Sequence, residues 1–470
     1  MLRATIETIA EVTRGEVLAG SPETVVGGLS IDSRACSPGA LFVAMPGEHV
    51  DGHTFLVPAL ECGARALLVT RDRGDIAPAL KMAEGLGAPI VRVADTVVAL
   101  GAIAAWHRNR LTCPVVGITG STGKTTTKDM LTSVLSQAFR VVATEGNRNN
   151  EIGVPLTILA ADLGTEVLVV EMGMRGSGQI AALCEIARPT MGLVTNVGVS
   201  HIEIMRDETS VADAKGELIA ALPADGTAFL NGDDAFSGRI AASSRAPVVR
   251  YGLSDSCDVR AESIALDEES RASFDVVWND TRCPVALSVP GRHNVYNAIA
   301  AAAVAVTLGV SCDQLADGLS GARLSSMRMQ VFETATGVTV INDAYNANPV
   351  SMRAAVETLA GMQASGRRIA VLGDMAELGS LSELAHFQLG ECVARSGVEV
   401  LVTAGPRASR IAEGARAAGM ARENVRQCAT VEEASEVLDD VLAAGDIALV
   451  KASRVMGLEG VVEGIVTPRG

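Results

Sequence analysis

The segment Cys113-Pro114-Val115-Val116-Gly117-Ile118-Thr119-Gly120-Ser121-Thr122-Gly123-Lys124-Thr125-Thr126-Thr127-Lys128-Asp129 decides how the chain is read. Val115 to Ile118 is an apolar run that predicts a strand, and Gly120 and Gly123 predict a tight turn behind it. Met130, Leu131, Val134, Leu135 and Ala138 then recur at helical spacing. A strand, a glycine loop and a helix opening on Lys124 and Thr125 suit a nucleotide phosphate: glycines let backbone N–H groups approach, and the helix N-terminus favours an anion. The lysine reaches the terminal phosphates and the threonine hydroxyl reaches Mg2+, so ATP or GTP is the expected ligand. One place departs from the common pattern: Ile118 stands five positions before Gly123, where glycine is usual.

Outward from that loop, composition sets the frame. At 470 residues and 48% hydrophobic the chain exceeds one core, and its length suggests about three domains. A net charge of -16 without a Lys/Arg run argues against nucleic acid, which needs a basic face, but leaves room for a small anionic substrate served by a few local cations and a metal. Nine cysteines (Cys36, Cys62, Cys113, Cys184, Cys257, Cys283, Cys312, Cys392 and Cys428) are odd in number and scattered. They read as buried thiols of a reducing compartment, neither a disulfide framework nor a zinc site. No basic segment followed by an apolar one marks a signal peptide, and the longest nearly apolar run, Ala298 to Val306, falls short of the roughly 20 residues that span a bilayer. A cytoplasmic, monomeric protein without a membrane partner is expected.

Residues 1–110 carry short strands and turns, with a strand at Ala40 to Ala44, a helix at Ala59 to Cys62 and a strand at Ala66 to Val69. Ser30-Ile31-Asp32-Ser33-Arg34 and the polar loop Pro46 to His53 either hold a phosphorylated ligand, since arginine's fork matches phosphate oxygens, or form an ordinary surface salt bridge and hairpin. Residues 111–321 alternate strand and helix, as a mostly parallel sheet does, with strands at Val115 to Ile118, Val141 to Ala143, Val167 to Met172, Met191 to Val197 and Thr227 to Leu230. Ligands sit at the carboxyl ends of such strands. Glu171 ends one of them, the usual place for a carboxylate that holds Mg2+ directly or through water; His201 follows another, as a structural histidine or a metal or substrate ligand. Glu145 to Gly153, rich in side-chain amides, suits a binding loop or a solvated turn.

Lys215 lies in the helical stretch Asp213 to Ile219, where local sequence favours a solvated lysine. From Asp258 to Val289 alternating runs predict an antiparallel hairpin appended to the sheet. Gly291 to Asn297 opens an alanine-rich helix; Asn294 and Asn297, one turn apart, are caps or readers of a base. A third unit, residues 322–470, predicts strands at Val338 to Ile341, Arg368 to Leu372, Val398 to Thr403 and Ile447 to Val450, alternating with helices at Ser351 to Leu359, Leu384 to Arg395, Ala408 to Ala418 and Val431 to Leu442. That is a doubly wound, Rossmann-like domain without a dinucleotide fingerprint. Its strand ends carry Asp343 to Pro349, Gly373 to Glu377 and Lys451 to Arg454, a half-site expected to close on the central domain.

Taken together, Ser30 to Arg34, Asp51-Gly52-His53, the loop Gly120 to Thr126, Glu171-Met172-Gly173, Asn196 to Glu203 and Gly291 to Asn294 resemble the Mur ligases, the ATP-dependent amide-forming enzymes of peptidoglycan precursor synthesis. Ile118 is the family's own form of the loop. Asp343-Ala344-Tyr345-Asn346-Ala347-Asn348-Pro349 and Leu372 to Gly379 resemble the member that adds D-alanyl-D-alanine to UDP-N-acetylmuramoyl-tripeptide; the Asp-Asn-Pro-Arg motif of the preceding ligase is absent.

The resemblance implies an α/β protein of three domains: a small N-terminal α/β UDP-binding domain, a central P-loop α/β ATPase domain with an appended antiparallel hairpin, and a C-terminal Rossmann-like doubly wound domain. It implies ATP and Mg2+ as cofactors, the nucleotide phosphates on Gly120, Ser121, Thr122, Gly123, Lys124, Thr125 and Thr126, and the metal on Thr125 and Glu171. His201, and Lys215 if carbamoylated, would serve a second ion. Arg328 would touch the terminal phosphate, Asn294 and Asn297 the adenine, and Asp343 the ribose. Asp32, Ser33, Arg34 and Gly47 would hold the UDP part, Asn150 would touch substrate, and Asn346, Asn348, Lys451 and Ser453 the dipeptide. The implied reaction passes the γ-phosphate to the tripeptide carboxylate, and the dipeptide amine attacks the acyl phosphate. The other readings are a folylpolyglutamate synthetase, which shares the central domain, the preceding Mur ligase, and a non-catalytic nucleotide-binding regulator.

Overall fold

The computed structural model describes residues 2–47, 50–70, 76–198, 202–205 and 207–466. Three large sheets follow one another along the chain, of five, nine and six strands. Among the described residues no helix is long and apolar enough to cross a membrane. Two compact units hold the described residues within 1–117, 140–173 and 180–191, and within 118–139, 174–179 and 192–470.

In the first unit, the five-stranded sheet runs Glu16–Ala19, Ile90–Val93, Ala66–Thr70, Leu41–Val43, Leu29–Ser30. Its outer pair is antiparallel and the others parallel. The parallel strands Ala66–Thr70 and Leu41–Val43 are buried throughout, as strands covered on both faces must be.

The nine-stranded sheet has the order Thr281–Pro290, Arg271–Trp278, Val259–Leu266, Val248–Gly252, Thr227–Asn231, Met191–Val194, Val115–Thr119, Val167–Glu171, Val141–Ala143. The strand leading into the glycine loop is thus interior to the sheet, and its five residues are all buried. The expected hairpin is a run of three antiparallel strands, because Val259–Leu266 also bends to pair with Arg271–Trp278 through a bulge between Glu262 and Ala265. The alanine-rich run is a core helix, Asn294–Thr307, with Ala298 to Ala305 all buried. Small side chains there permit close approach, and on the neighbouring helix Cys312–Ser320 a Cβ on Gly318 would stand 2.4 Å from Val134 Cα.

The six-stranded sheet runs Gln330–Glu333, Thr339–Asn342, Ile447–Lys451, Arg368–Gly373, Val400–Ala404, Val425–Cys428, parallel except for its first pair. One face packs Met352, Val356, Leu389 and Ile411, the other Ala434, Leu438 and Val461, which is the doubly wound arrangement. Two edge strands escaped the sequence reading. Gln330–Glu333 is mostly exposed and Val425–Cys428 carries Arg426 and Gln427 outward, so neither shows the apolar run of a central strand.

The cysteine expectation needs correction. Cys283 and Cys312 form a disulfide, their Cα atoms 5.5 Å apart, because the last antiparallel strand runs beside the start of the helix Cys312–Ser320. A separation of 29 residues carries no local signal of that pairing. Of the seven free thiols, Cys62 is exposed and Cys392 half-buried, and the other five are buried as expected.

Helices Ser382–Arg395 and Ser409–Ala417 cross backbone to backbone: a Cβ on Gly390 would lie 1.9 Å from Ile411 O, and one on Gly414 2.0 Å from Phe387 O. Gly390→Ala and Gly414→Ala are each expected to destabilise by about 1–3 kcal/mol through overpacking, despite alanine's better helix propensity. A lowered midpoint in chemical denaturation checks this, and an unchanged or raised midpoint contradicts it.

Candidate active site at the glycine loop

The loop forms because two of its residues can be nothing but glycine. Gly120 has φ +150°, and a Cβ there would fall 1.8 Å from Thr195 Oγ1. Gly123 has φ +79°, and its Cβ would fall 2.3 Å from Asn297 Oδ1. Neighbouring side chains lock the loop from outside. Ser121 N donates to Asn196 O at 2.9 Å and Thr122 N to Asn196 Oδ1 at 3.0 Å, while Thr195 Oγ1 and Asn196 Nδ2 donate to Thr122 O at 2.6 and 3.2 Å. Ser121 Oγ donates to Gly198 O at 3.0 Å. The helix Lys124–Leu135 begins at Gly123 with no side-chain cap, so its first N–H groups point into the loop. Lys124 Nζ folds over the loop, donating to Gly120 O at 2.6 Å and reaching Ser121 O at 3.5 Å. Thr125 and Thr126 are buried behind it. This is a cradle for phosphate oxygens, with a cation at its lip.

Lys215 corrects the local reading. It is only 2% exposed on the inner face of the helix Glu208–Ala220, not solvated. Burial pushes its pKa well below the ordinary lysine value, and the nearby charge of Lys124 pushes in the same direction. Both effects disfavour the charged form of this amine. His201 lies outside the described residues.

Glu171 ends its strand 1% exposed. Its Oε1 accepts from Asn149 Nδ2 at 2.7 Å, whereas Oε2 is buried with no hydrogen-bond partner. A buried carboxylate oxygen left unpaired carries a penalty of about 1–3 kcal/mol or more, which a cation or its bound water removes. The donor type at Glu171 fits Mg2+, a hard carboxylate oxygen rather than a thiolate. The neighbouring Asn150 does not reach Glu171; its Oδ1 accepts from Ile152 N and Gly153 N at the start of the next helix.

Asn294 and Asn297 are buried and joined to one another. Asn294 Nδ2 donates to Pro290 O at 2.7 Å, Asn297 Nδ2 to Asn294 Oδ1 at 2.9 Å, and Thr127 Oγ1 to Asn297 Oδ1 at 3.3 Å. These amides tie the alanine-rich helix to the helix that follows the loop. Beside them, enclosure pushes the pKa of His293 down to about 4, with Asp343 opposing and Lys451 reinforcing that shift.

At the strand ends of the six-stranded sheet, Lys451 Nζ, 3% exposed, pairs with Asp343 Oδ2 at 2.5 Å and donates to Asn346 O at 2.9 Å. Ser453 Oγ accepts from Ala376 N at 2.8 Å and reaches Ala347 O at 3.4 Å. Asn348 caps the helix Pro349–Gly361 in a reciprocal pair with Ser351, and the Oδ1 of exposed Asn346 accepts from Ala347 N. Arg328 lies over the Tyr345 ring, 4.3 Å from its centroid. In the first unit, Arg34 turns back on Asp32 in a two-bonded pair of 2.8 and 3.0 Å while its side chain stays 88% exposed. Those hydrogen bonds bring Asp32 down to about 2. Ser33 is buried, and a Cβ on Gly47 would lie 2.5 Å from Val50 O.

Thr195, Asn196 and Asn149 have evident structural roles that sequence did not assign to them individually, although Asn196 opens one of the quoted motifs and Asn149 lies in the amide-rich loop. Each is a small polar residue just past a strand or in an amide-rich loop, and only the fold reveals which one turns inward.

Gly120→Ala is expected to weaken ADP binding about ten-fold or more, because strain and overpacking of 1–3 kcal/mol fall on the loop itself. Gly464→Ala, in open space on the helix Glu459–Val466, serves as control; calorimetry with both variants checks this. For Lys215 the sign runs opposite to a paired lysine: the unfolded chain binds the proton more tightly, so stability rises with pH up to about 10.5. Lys215→Met removes that dependence, so its advantage over wild type is expected to grow as the pH falls below 10.5, by up to about 1.4 kcal/mol per pH unit, in denaturant unfolding. A constant difference would mean that Lys215 is charged in the fold.

Comparison with known proteins agrees with this geometry. Residues 25–108 match the Mur ligase family catalytic domain, 118–305 the Mur ligase middle domain and 327–454 the Mur ligase glutamate ligase domain. A UDP-N-acetylmuramoyl-tripeptide–D-alanyl-D-alanine ligase of Bacillus subtilis (strain 168) is 35% identical over 468 residues, 99% of each chain. The corresponding ligase of Mycobacterium tuberculosis (strain ATCC 25618 / H37Rv) is 38% identical over 503 aligned positions, 99% of this chain and 98% of its own. The crystal structure of MurF from Acinetobacter baumannii superposes with a TM-score of 0.86 at 29% identity over 99% of both chains, and MurF from Thermotoga maritima in complex with ADP with 0.77 at 28% over 93% and 96%. With all three family domains matched in order and relatives above 30% identity along its full length, the chain belongs to the Mur ligase family.

Proposed function

We propose that the chain is an ATP-dependent carbon–nitrogen ligase that joins D-alanyl-D-alanine to the terminal carboxylate of UDP-N-acetylmuramoyl-tripeptide, in the cytoplasm and as a monomer. The observation that carries this reading is the identity of 35–38% with ligases of that name over 99% of the chain. Three segments divide the work: 1–110 for the UDP part through Asp32, Ser33, Arg34 and Gly47, 111–321 for ATP, and 322–470 for the dipeptide near Asn346, Asn348, Lys451 and Ser453. Asn150 touches substrate, Asn294 and Asn297 the adenine, and Asp343 the ribose.

The γ-phosphorus–oxygen bond to ADP breaks as the tripeptide carboxylate oxygen bonds to phosphorus, giving an acyl phosphate. The dipeptide amine then adds to the acyl carbon and loses a proton, and the tetrahedral intermediate expels phosphate to leave the amide. Lys124, its cation at the lip of the loop, offsets negative charge on the transferring group, as do the N–H groups of residues 120–126. Arg328 joins the terminal phosphate when the third segment closes. Magnesium, held by Thr125 and Glu171 with a second ion at His201 and Lys215, would supply charge neutralisation on the phosphates and the acceptor carboxylate.

The lowered pKa of Lys215 favours a carbamate there: the amine nitrogen bonds to the carbon of CO2 and releases a proton, and the side chain becomes an anion able to face a metal. Lys215→Ala is then expected to lose most activity and to regain part of it with acetate or bicarbonate; undiminished catalysis contradicts the modification. For the reaction itself, phosphate release is expected only when ATP, Mg2+, UDP-muramoyl-tripeptide and D-alanyl-D-alanine are all present. Release with glutamate and a folate instead would make the chain a folylpolyglutamate synthetase, and tight ATP binding without turnover a regulator.

A further inference from the structure

The helix that carries the phosphate loop also holds the segment leading into the six-stranded domain. Asp129, one turn into that helix, accepts from Ser325 N at 2.7 Å through Oδ2 and from Ser325 Oγ at 3.2 Å through Oδ1. Its own Oδ1 pairs with Lys128 Nζ at 2.8 Å, and the two side chains are 10% and 4% exposed, so this is an enclosed clamp rather than a surface ion pair. Four residues on, the same segment is gripped from the other side. Met329 N donates to Asp343 Oδ1 at 3.1 Å, and Asp343 in turn pairs with buried Lys451. Tyr345 N donates to Met327 O at 3.2 Å.

Three residues, Ser326, Met327 and Arg328, lie between the two grips. Met327 and Met329 both have left-handed backbones, φ 59° and 48°, on either side of Arg328. Unbranched residues other than glycine rarely hold that conformation, and two of them flanking one arginine persist only where the surroundings over-determine the backbone. The Asp129–Ser325, Tyr345–Met327 and Asp343–Met329 contacts hold it from several sides here. Tyr345 lies beneath the Arg328 guanidinium, so the side chain follows where this short stretch carries it.

We propose that Asp129 is a positioning residue: by fixing Ser325 to the phosphate-loop helix it sets where Arg328 is delivered during phosphoryl transfer. It is separate from the bracing of the loop, which Thr195 and Asn196 supply through Thr122. The inference rests on the reading of Arg328 as the arginine that meets the terminal phosphate. A residue that acts through another must be silent when that other is gone, so the test is a double-mutant cycle on the full-length enzyme.

Asp129→Ala is expected to lower kcat about ten-fold, with the Kd for ADP within about two-fold of wild type, and Asp129→Ala/Arg328→Ala to be no slower than Arg328→Ala alone. Ser325→Ala, which removes only the Oγ contact, is expected to lose less and to show the same silence. If the Asp129→Ala variant does not fold, Ser325→Ala carries the cycle in its place, and Asp129→Asn, which keeps an acceptor for Ser325 N, is expected to stay near wild type. An equal fold-loss in both backgrounds would show a general structural role and overturn the proposal, as would wild-type kcat in Asp129→Ala and Ser325→Ala while Arg328→Ala is slow. Wild-type kcat in Arg328→Ala would instead sink the role of Arg328, and the inference with it.

Discussion

Two left-handed glycines pressed against buried side chains are the constraint on which the nucleotide half of the molecule depends. Gly120 and Gly123 turn the chain where Thr195 and Asn297 leave no room for a Cβ, and that turn frees the first N–H groups of the following helix. Asn196 serves the loop with its backbone carbonyl and both ends of its amide, so the turn keeps its shape without a ligand. Preformed donors cost little reorganisation when charge arrives, and for phosphoryl transfer positioning and charge compensation are nearly all that a protein supplies. Overall acidity at -16 does not oppose this, because screening over roughly 10 Å makes the few cations and N–H groups beside the phosphates outweigh distant surface carboxylates.

The helix behind the loop is fastened by polar contacts where an ordinary core helix would use only apolar ones. Thr127 meets Asn297, Asp129 meets Ser325, and Ser133 Oγ donates to Gly318 O at 2.7 Å. Its apolar residues Met130, Leu131, Val134 and Leu135 are fully buried and supply the bulk of the stabilisation. Hydrogen bonds net only about 1 kcal/mol each, but they are directional, and a slip of the helix would leave several buried partners unpaired at about 1–3 kcal/mol apiece. Burial thus holds the helix in place and the polar contacts fix its register, which is what a phosphate loop at its start and the Ser325 segment on its side both require.

Sequence reads this protein well where one residue type has one use. The loop glycines, the buried parallel strands and Glu171 at a strand end were legible because each answers a local rule. Lys215 was not: the pattern of its helix is only weakly amphipathic, with Lys215 next to Asp213 and Glu217, and burial of a lysine is visible only once neighbouring elements are packed on it. Asn149 and Asn150 are chemically identical neighbours, yet one holds Glu171 and the other closes a helix start, a difference of backbone direction that spacing does not encode. The Cys283–Cys312 pair and the contact of Asp129 with Ser325, 196 residues apart, depend on topology in the same way. Local chemistry marked the candidate groups; what holds them lay in long-range contacts.

The two lysines of the site show how one residue type is given two chemistries. Lys124 stands half-enclosed with carbonyl oxygens of Gly120 and Ser121 around its ammonium, so its charge is solvated by the loop that it serves. Lys215 is buried, and the field of Lys124 reaches it. Two ammonium groups in one low-dielectric region repel, and the group with the poorer solvation gives up its proton first. Charge on Lys124 therefore adds to burial in lowering the Lys215 pKa. Converting Lys215 to an anion would reverse the sign of that coupling, turning repulsion into attraction and drawing positive charge toward the phosphates. The arrangement favours a cation at the loop and a neutral or anionic group beneath it, and disfavours two cations.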